Sequence, residues 1–299
     1  MKQRAIVVAV LGMCSLSFAQ AKPAAQNPPA GQTAGQATGQ ATGQAAGQAA
    51  AAPQGKRAPA AKTQPEFEAY KAAVALTDPA AAEKAADDFA AKFPDSELRV
   101  MVYKAAMQKY QQANNADKML EMARKALTFD PDDPEALLGV AQVLAERTRE
   151  TDLDKDQRLA EAKQQAERAL ATIDTDVPVT GYPPEQLNAY KGYLKSESYA
   201  ILGTLAFNAK NWPEAETNLR KSIDVFPQQP DPIAIFRLAV SLDMQNKIPE
   251  ATKYIDQAMD LTKDRPDTGV GRAVRAEKDR LTKLSSGTAP GQNPAPPKN

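Results

Sequence analysis

The chain has 299 residues, 42% hydrophobic and 25% charged, with Lys+Arg and Asp+Glu both totalling 37 and so no net charge. That supplies a core for one domain, or one continuous array, of about 200 residues, and the balanced charge gives no basic field for nucleic acid. Histidine is absent and the lone cysteine is Cys14, which excludes a Cys/His zinc site, a Ser-His-Asp triad and a Cys-His pair.

At the start of the chain, Lys2 and Arg4 precede an apolar run from Ala5 to Met13, followed by small residues at Ser17, Ala19 and Ala21. Charge, apolar stretch and small residues in that order predict a signal peptide over 1–21, cleaved after Ala19 or Ala21. The run is too short to span a bilayer, and no later segment comes close, so no transmembrane span is expected in the mature chain. Leu11-Gly-Met-Cys14 is similar to a bacterial lipoprotein cleavage box, except that Met13 stands where a small residue belongs; lipidation of Cys14 is the alternative. Residues 22–64 are mostly Ala, Gln, Gly, Pro and Thr, with Ala-Gly-Gln and Thr-Gly-Gln recurring. Without large apolar residues this stretch cannot offset the entropy of ordering, and a disordered spacer is expected. It serves either as a tether that gives the folded part reach or as neutral low-complexity sequence.

Residues 65–284 read as helix throughout: apolar and alanine positions recur at three and four residue spacing and alternating β-branched runs are missing. Asp78-Pro79, Asp133-Pro134-Glu135 and Asp231-Pro232 each place a capping carboxylate before a proline in a first turn. The predicted helices are 66–76, 79–92, 95–112, 115–128, 134–148, 156–172, 185–209, 212–225, 232–245, 248–262 and 267–284. A Gly- and Pro-rich tail, 285–299, follows and is expected to be disordered.

Tyr199-x2-Leu202-Gly203-x2-Ala206, then Ala215-x3-Leu219, then Pro227, resembles the tetratricopeptide repeat. Gly203 and Ala215 are small where two helices of a hairpin must cross. Leu238-Ala239, Pro249-Glu250-Ala251, Ile255 and Ala258 repeat the pattern 36 residues on. Tyr103, Ala106, Tyr110, Ala123, Ala126 and Pro131 make an earlier unit, and Val140-Ala141, Leu144, Ala162, Ala166 and Ala169 another, interrupted by extra residues around Arg149–Asp156. Residues 66–94 form a degenerate hairpin. The resemblance implies an all-α solenoid of about four to five hairpins, with 267–284 as a polar capping helix.

The same resemblance implies a non-enzymatic scaffold whose first helices line a groove for a protein or peptide. The repeat register puts Lys104, Gln108, Gln111, Leu138, Gln142, Ala200, Thr204, Phe207, Phe236, Val240 and Asp243 on that wall. It lacks the rows of Lys, Arg and Asn with which some relatives hold a C-terminal carboxylate. Asp152, Asp154 and Asp156 alternate like the opening of a calcium loop, but Gln157 and Lys163 stand where that loop needs Gly and Glu; a turn with Asp156 capping the next helix is expected. Trp212 takes a position where the family packs an aromatic between hairpins. No catalytic, cofactor or metal residue is expected. The implied setting is the periplasm or cell envelope of a bacterium, with an envelope-assembly lipoprotein, anchored through Cys14 and acting in outer-membrane biogenesis, as the alternative.

Overall fold

In the computed structural model, residues 56–179 and 183–286 are described; the signal segment, Cys14, most of the spacer and the far C-terminal tail lie outside them. Among the described residues there are eleven helices and no strand. They are α1 (Gln64–Val74), α2 (Pro79–Lys92), α3 (Arg99–Gln112), α4 (Ala116–Phe129), α5 (Pro134–Arg147), α6 (Lys155–Asp176), α7 (Pro184–Asn208), α8 (Trp212–Val225), α9 (Pro232–Asp243), α10 (Ile248–Thr262) and α11 (Gly269–Ser285). Consecutive helices pack as five hairpins, α1/α2 to α9/α10, capped by α11. The odd-numbered helices also touch in sequence, so they form one row and the even-numbered helices another. This is a tetratricopeptide-like helical solenoid.

The Asp-Pro signals act as expected. Asp78, Asp133 and Asp231 accept hydrogen bonds from the backbone N–H of Ala81, Ala136 and Ile233 at 2.8, 2.9 and 2.9 Å, with proline opening each helix. The turns within hairpins carry a second regularity. Asn114, Lys210 and Asn246 are the non-glycine residues with positive φ, at 57°, 58° and 60° among the described residues. They occupy one repeat position, between first and second helices. In each case the next N–H closes back onto the first helix: Asn115 to Tyr110, Asn211 to Ala206 and Lys247 to Leu242, all at 2.9 Å. That bond pattern, with a left-handed residue just past the helix end, is the Schellman stop. The α5/α6 hairpin lacks it because the extra residues 148–154 replace the tight turn.

Boundaries differ from expectation where side chains intervene. α3 starts at Arg99 rather than 95, because the preceding turn is held by Ser96, whose hydroxyl accepts from Leu98 N–H at 3.0 Å and donates to buried Glu66 at 2.5 Å. α6 runs on to Asp176 because Ile173, the first residue past the predicted end, is fully buried. Asp154, not Asp156, is its N-cap residue, and Asp156 lies inside the first turn.

Alanine carries the close packing. Ala106, Ala123, Ala141, Ala166, Ala215, Ala239 and Ala251 are all wholly buried where helices approach. Gly203 marks a tight crossing: a Cβ there would lie 2.7 Å from Leu219 Cγ and 3.2 Å from Leu219 N. α7 is nearly twice the usual length for this repeat. Its first half packs on the ends of α6 and α8, with Lys195 paired to Asp174 at 2.8 Å and Tyr193 edge-on to Phe226 at 6.0 Å.

Candidate functional site

The row of odd-numbered helices is where the register places all eleven groove residues, and the structure divides them into two groups of different chemistry. In the α3–α5 half the side chains are locked together. Lys104 and Gln108 sit one turn apart on α3 and face the start of α5. The Lys104 ammonium lies 2.9 Å from both Asp133 Oδ2 and Glu135 Oε2. Gln108 Nε2 donates to Glu135 Oε1 at 2.6 Å, and the Tyr190 hydroxyl, brought by the early part of α7, donates to Glu135 Oε2 at 3.1 Å. Asp133 acts twice, since its other oxygen caps α5.

The cluster is sheltered, so its charges hold one another in place. Burial works against the Lys104 ammonium, but the charges of Asp133 and Glu135 outweigh it and hold its pKa well above the ordinary value. Burial likewise disfavours the Glu135 carboxylate, and Lys104 outweighs it, leaving Glu135 below its ordinary value. Burial and then the Glu135 charge push the Tyr190 phenol well up. Lys104 and Gln108 are therefore bolts between three first helices. Leu138 is buried, and Gln142 reaches along its own helix to Glu146 at 3.2 Å. Gln111 is half-buried at the far end of α3.

The α7–α9 half is mostly apolar. Ala200, Phe207, Phe236 and Val240 are half-buried. Thr204 is buried, donating to Ala200 O at 2.7 Å and accepting from Arg237 at 2.7 Å. Phe207 meets Trp212 edge-on, with ring centroids 5.6 Å apart, so the tryptophan packs within the hairpin as a support for Phe207. Asp243 is covered by the cap: its side chain is 7% exposed and paired to Arg280 of α11. Burial raises its pKa above the ordinary value, with Arg280 opposing.

The other cations of α11 are similarly engaged. Arg272 donates to Asp267 O at 2.6 Å, Arg275 to Pro266 O, and Lys278 pairs with Asp256 at 2.5 Å. At the aspartate-rich loop, Asp152 accepts from Arg149 N–H at 2.8 Å, and among the described residues no group of acidic side chains is arranged to hold a metal. No helix among the described residues is long and apolar enough to cross a membrane.

Sequence reasoning placed Lys104 but not its partners. Asp133 reads only as a cap, and Tyr190 precedes its repeat unit by several residues. The available signal was the Lys104/Gln108 pair itself: a cation and an amide one turn apart on an inward face require acceptors nearby.

The fold and its repeat register define a tetratricopeptide-like helical solenoid. Solved structures similar to it include three that span most of this chain. One, from the functional characterisation of Pseudomonas aeruginosa PilF, is 18% identical, covers 75% of this chain and 97% of that one, with a TM-score of 0.46. A second is an assembly chaperone of RpL4 (Acl4), 14% identical over 74% of this chain and 99% of that one, TM-score 0.36. The third is YrrB, a TPR protein with an unusual peptide-binding site, 18% identical over 64% of this chain and 99% of that one, TM-score 0.26. No family model matches the sequence, and no curated protein matches it. At these identities and scores, no property of those proteins passes to this chain.

Proposed function

We propose that this protein is an exported, non-enzymatic scaffold that holds a protein or peptide partner against its row of first helices, in the half formed by α7 and α9. The observation that carries the reading is the contrast within that row. Lys104, Gln108 and Asp243 are engaged internally, whereas Ala200, Phe207, Phe236 and Val240 offer half-buried apolar surface. Recognition there rests on apolar and aromatic side chains of the partner, entering as a helix or an extended segment. The signal-like start and the low-complexity stretch before residue 56 support export to the periplasm or envelope and delivery on a tether. The absence of histidine from all 299 residues supports the non-enzymatic assignment.

The binding half is tested with Phe207→Ala/Phe236→Ala. Helicity stays at the wild-type level while capture of an envelope partner falls at least about tenfold, the scale expected for losing two aromatic anchors. Undiminished capture removes the assignment. Export is tested by mass spectrometry of the mature N-terminus. A start at Gln20 or Lys22 is the expected result; a lipid on Cys14 supports the envelope-lipoprotein alternative instead, and an intact Met1 refutes export.

A further inference from the structure

Residues 56–62, Lys-Arg-Ala-Pro-Ala-Ala-Lys, precede α1 and lie along the turns that join successive hairpins. Toward α1, Lys62 Nζ donates to Asp95 O at 2.6 Å and Ala60 N–H reaches Glu97 Oε2 at 3.4 Å, while Arg57, next to the far end of the segment, reaches back to pair with the same Glu97. These acceptors lie in the turn between the first and second hairpins. At the other end, Lys56 Nζ lies 2.5 Å from Asp130 Oδ2, in the turn between the second and third hairpins, and 3.5 Å from Asp176 Oδ1, at the end of the third. Backbone bonds complete that end: Lys56 N–H donates to Thr175 O at 2.8 Å and Val179 N–H donates to Lys56 O at 3.1 Å.

The sequence suits a tie bar. The charges sit at the two ends, and the middle is Ala-Pro-Ala-Ala. Pro59 fixes its own φ and favours an extended Ala58. Seven extended residues reach about 20 Å, matching two steps between helix layers of roughly 8–10 Å each. Ala61 packs on the core, which seats the bar at its middle. In a solenoid each hairpin is held chiefly by its immediate neighbours. This segment departs from that, because it connects the first hairpin's leading end to the third.

We propose that residues 56–62 form a salt-releasable strap that ties the first hairpin to the third across the second and thereby sets the curvature of this end of the solenoid. Its ion pairs are partly exposed, with side-chain exposures of 35% for Lys56, 17% for Asp130 and 24% for Asp176. Added salt therefore loosens the strap without unfolding the alanine-packed helices beneath it.

The experiment uses the full-length protein and reads two signals. The first is hydrogen exchange of the Val179 amide, whose acceptor is a strap carbonyl. The second is the distance between fluorophores on the exposed positions 88 (α2) and 164 (α6), introduced as Asp88→Cys and Gln164→Cys with Cys14→Ser. Raising salt from about 50 to 500 mM shortens the screening length to a few ångströms; it is expected to speed Val179 exchange about tenfold and to change the inter-dye distance. Lys56→Glu, which sets like charges against Asp130 and Asp176, gives the released values at low salt. Adding Asp130→Lys and Asp176→Lys restores protection. If Lys56→Glu leaves Val179 exchange unchanged at full helicity, no strap exists. If exchange speeds up while the distance stays fixed, the strap does not set curvature. Either result overturns the proposal.

Discussion

Replacing Gly203 by alanine sets two effects of opposite sign against each other. Alanine in a helix interior is favoured over glycine by about 1 kcal/mol, so on propensity alone the variant gains stability. The structure places the new methyl 2.7 Å from Leu219 Cγ and 2.8 Å from Cδ2, about 1 Å inside an ordinary carbon–carbon separation of roughly 3.5–4.0 Å. Leu219 cannot swing away, since it is fully buried and its backbone nitrogen stands only 3.2 Å from the same point. Helices α7 and α8 must then separate, and overpacking of this kind costs about 1–3 kcal/mol. The clash outweighs propensity, leaving a net loss of up to about 2 kcal/mol, measured by urea unfolding with hydrogen exchange reporting on α7 and α8 separately from the other hairpins. Leu219→Ala alone costs about 2–5 kcal/mol through its cavity, but the double variant relieves the clash, so its loss falls short of the sum by about 1 kcal/mol or more. Gly203→Ala at or above wild-type stability, or strict additivity in the cycle, refutes the tight crossing.

Three further outcomes follow from the same geometry. Lys104→Met leaves Asp133 and Glu135 facing each other without their cation and destabilises by about 3 kcal/mol; adding Glu135→Gln recovers part of that loss in thermal melts. Glu66 is buried, yet bonds from Ser96 and the backbone N–H groups of Lys62 and Thr63 outweigh the burial and hold its carboxyl below the ordinary value. Because the folded pKa is depressed, its contribution is complete above the unfolded value of about 4.3 and is lost as pH falls through the folded value; Glu66→Gln therefore flattens the acid limb of a stability–pH curve. Lys210 stands at φ 58°, a conformation costing a side-chain-bearing residue about 1 kcal/mol, so Lys210→Gly raises the melting temperature. Asn246→Gly does so less, because asparagine tolerates that conformation.

Helix positions were legible where the chain punctuates itself chemically. Asp78, Asp133 and Asp231 before prolines set starts that the structure reproduces, and the Leu202-Gly203 and Leu238-Ala239 pairs located the crossings. Local signals failed where distant side chains decide: α3 waits for the Ser96–Glu66 bond, and α6 continues because Ile173 finds a buried site. The repeat register put the proposed groove residues on first helices, but their chemistry was not readable. Lys104 is disarmed by Asp133, Glu135 and Tyr190, and Asp243 by Arg280 of the capping helix; all are remote in sequence. The low-complexity composition around 56–62 likewise gave no sign of acceptors at Glu97, Asp130 and Asp176, which only folding brings into line.

The most direct test of the scaffold reading is site-specific photo-crosslinking in living cells. A photoreactive residue at position 236, on the apolar half of the first-helix row, should trap one discrete partner, whereas the same residue at the exposed position 117 on α4 should not. Equal crosslinking from both positions, or none from position 236 while partner capture persists, would contradict the account.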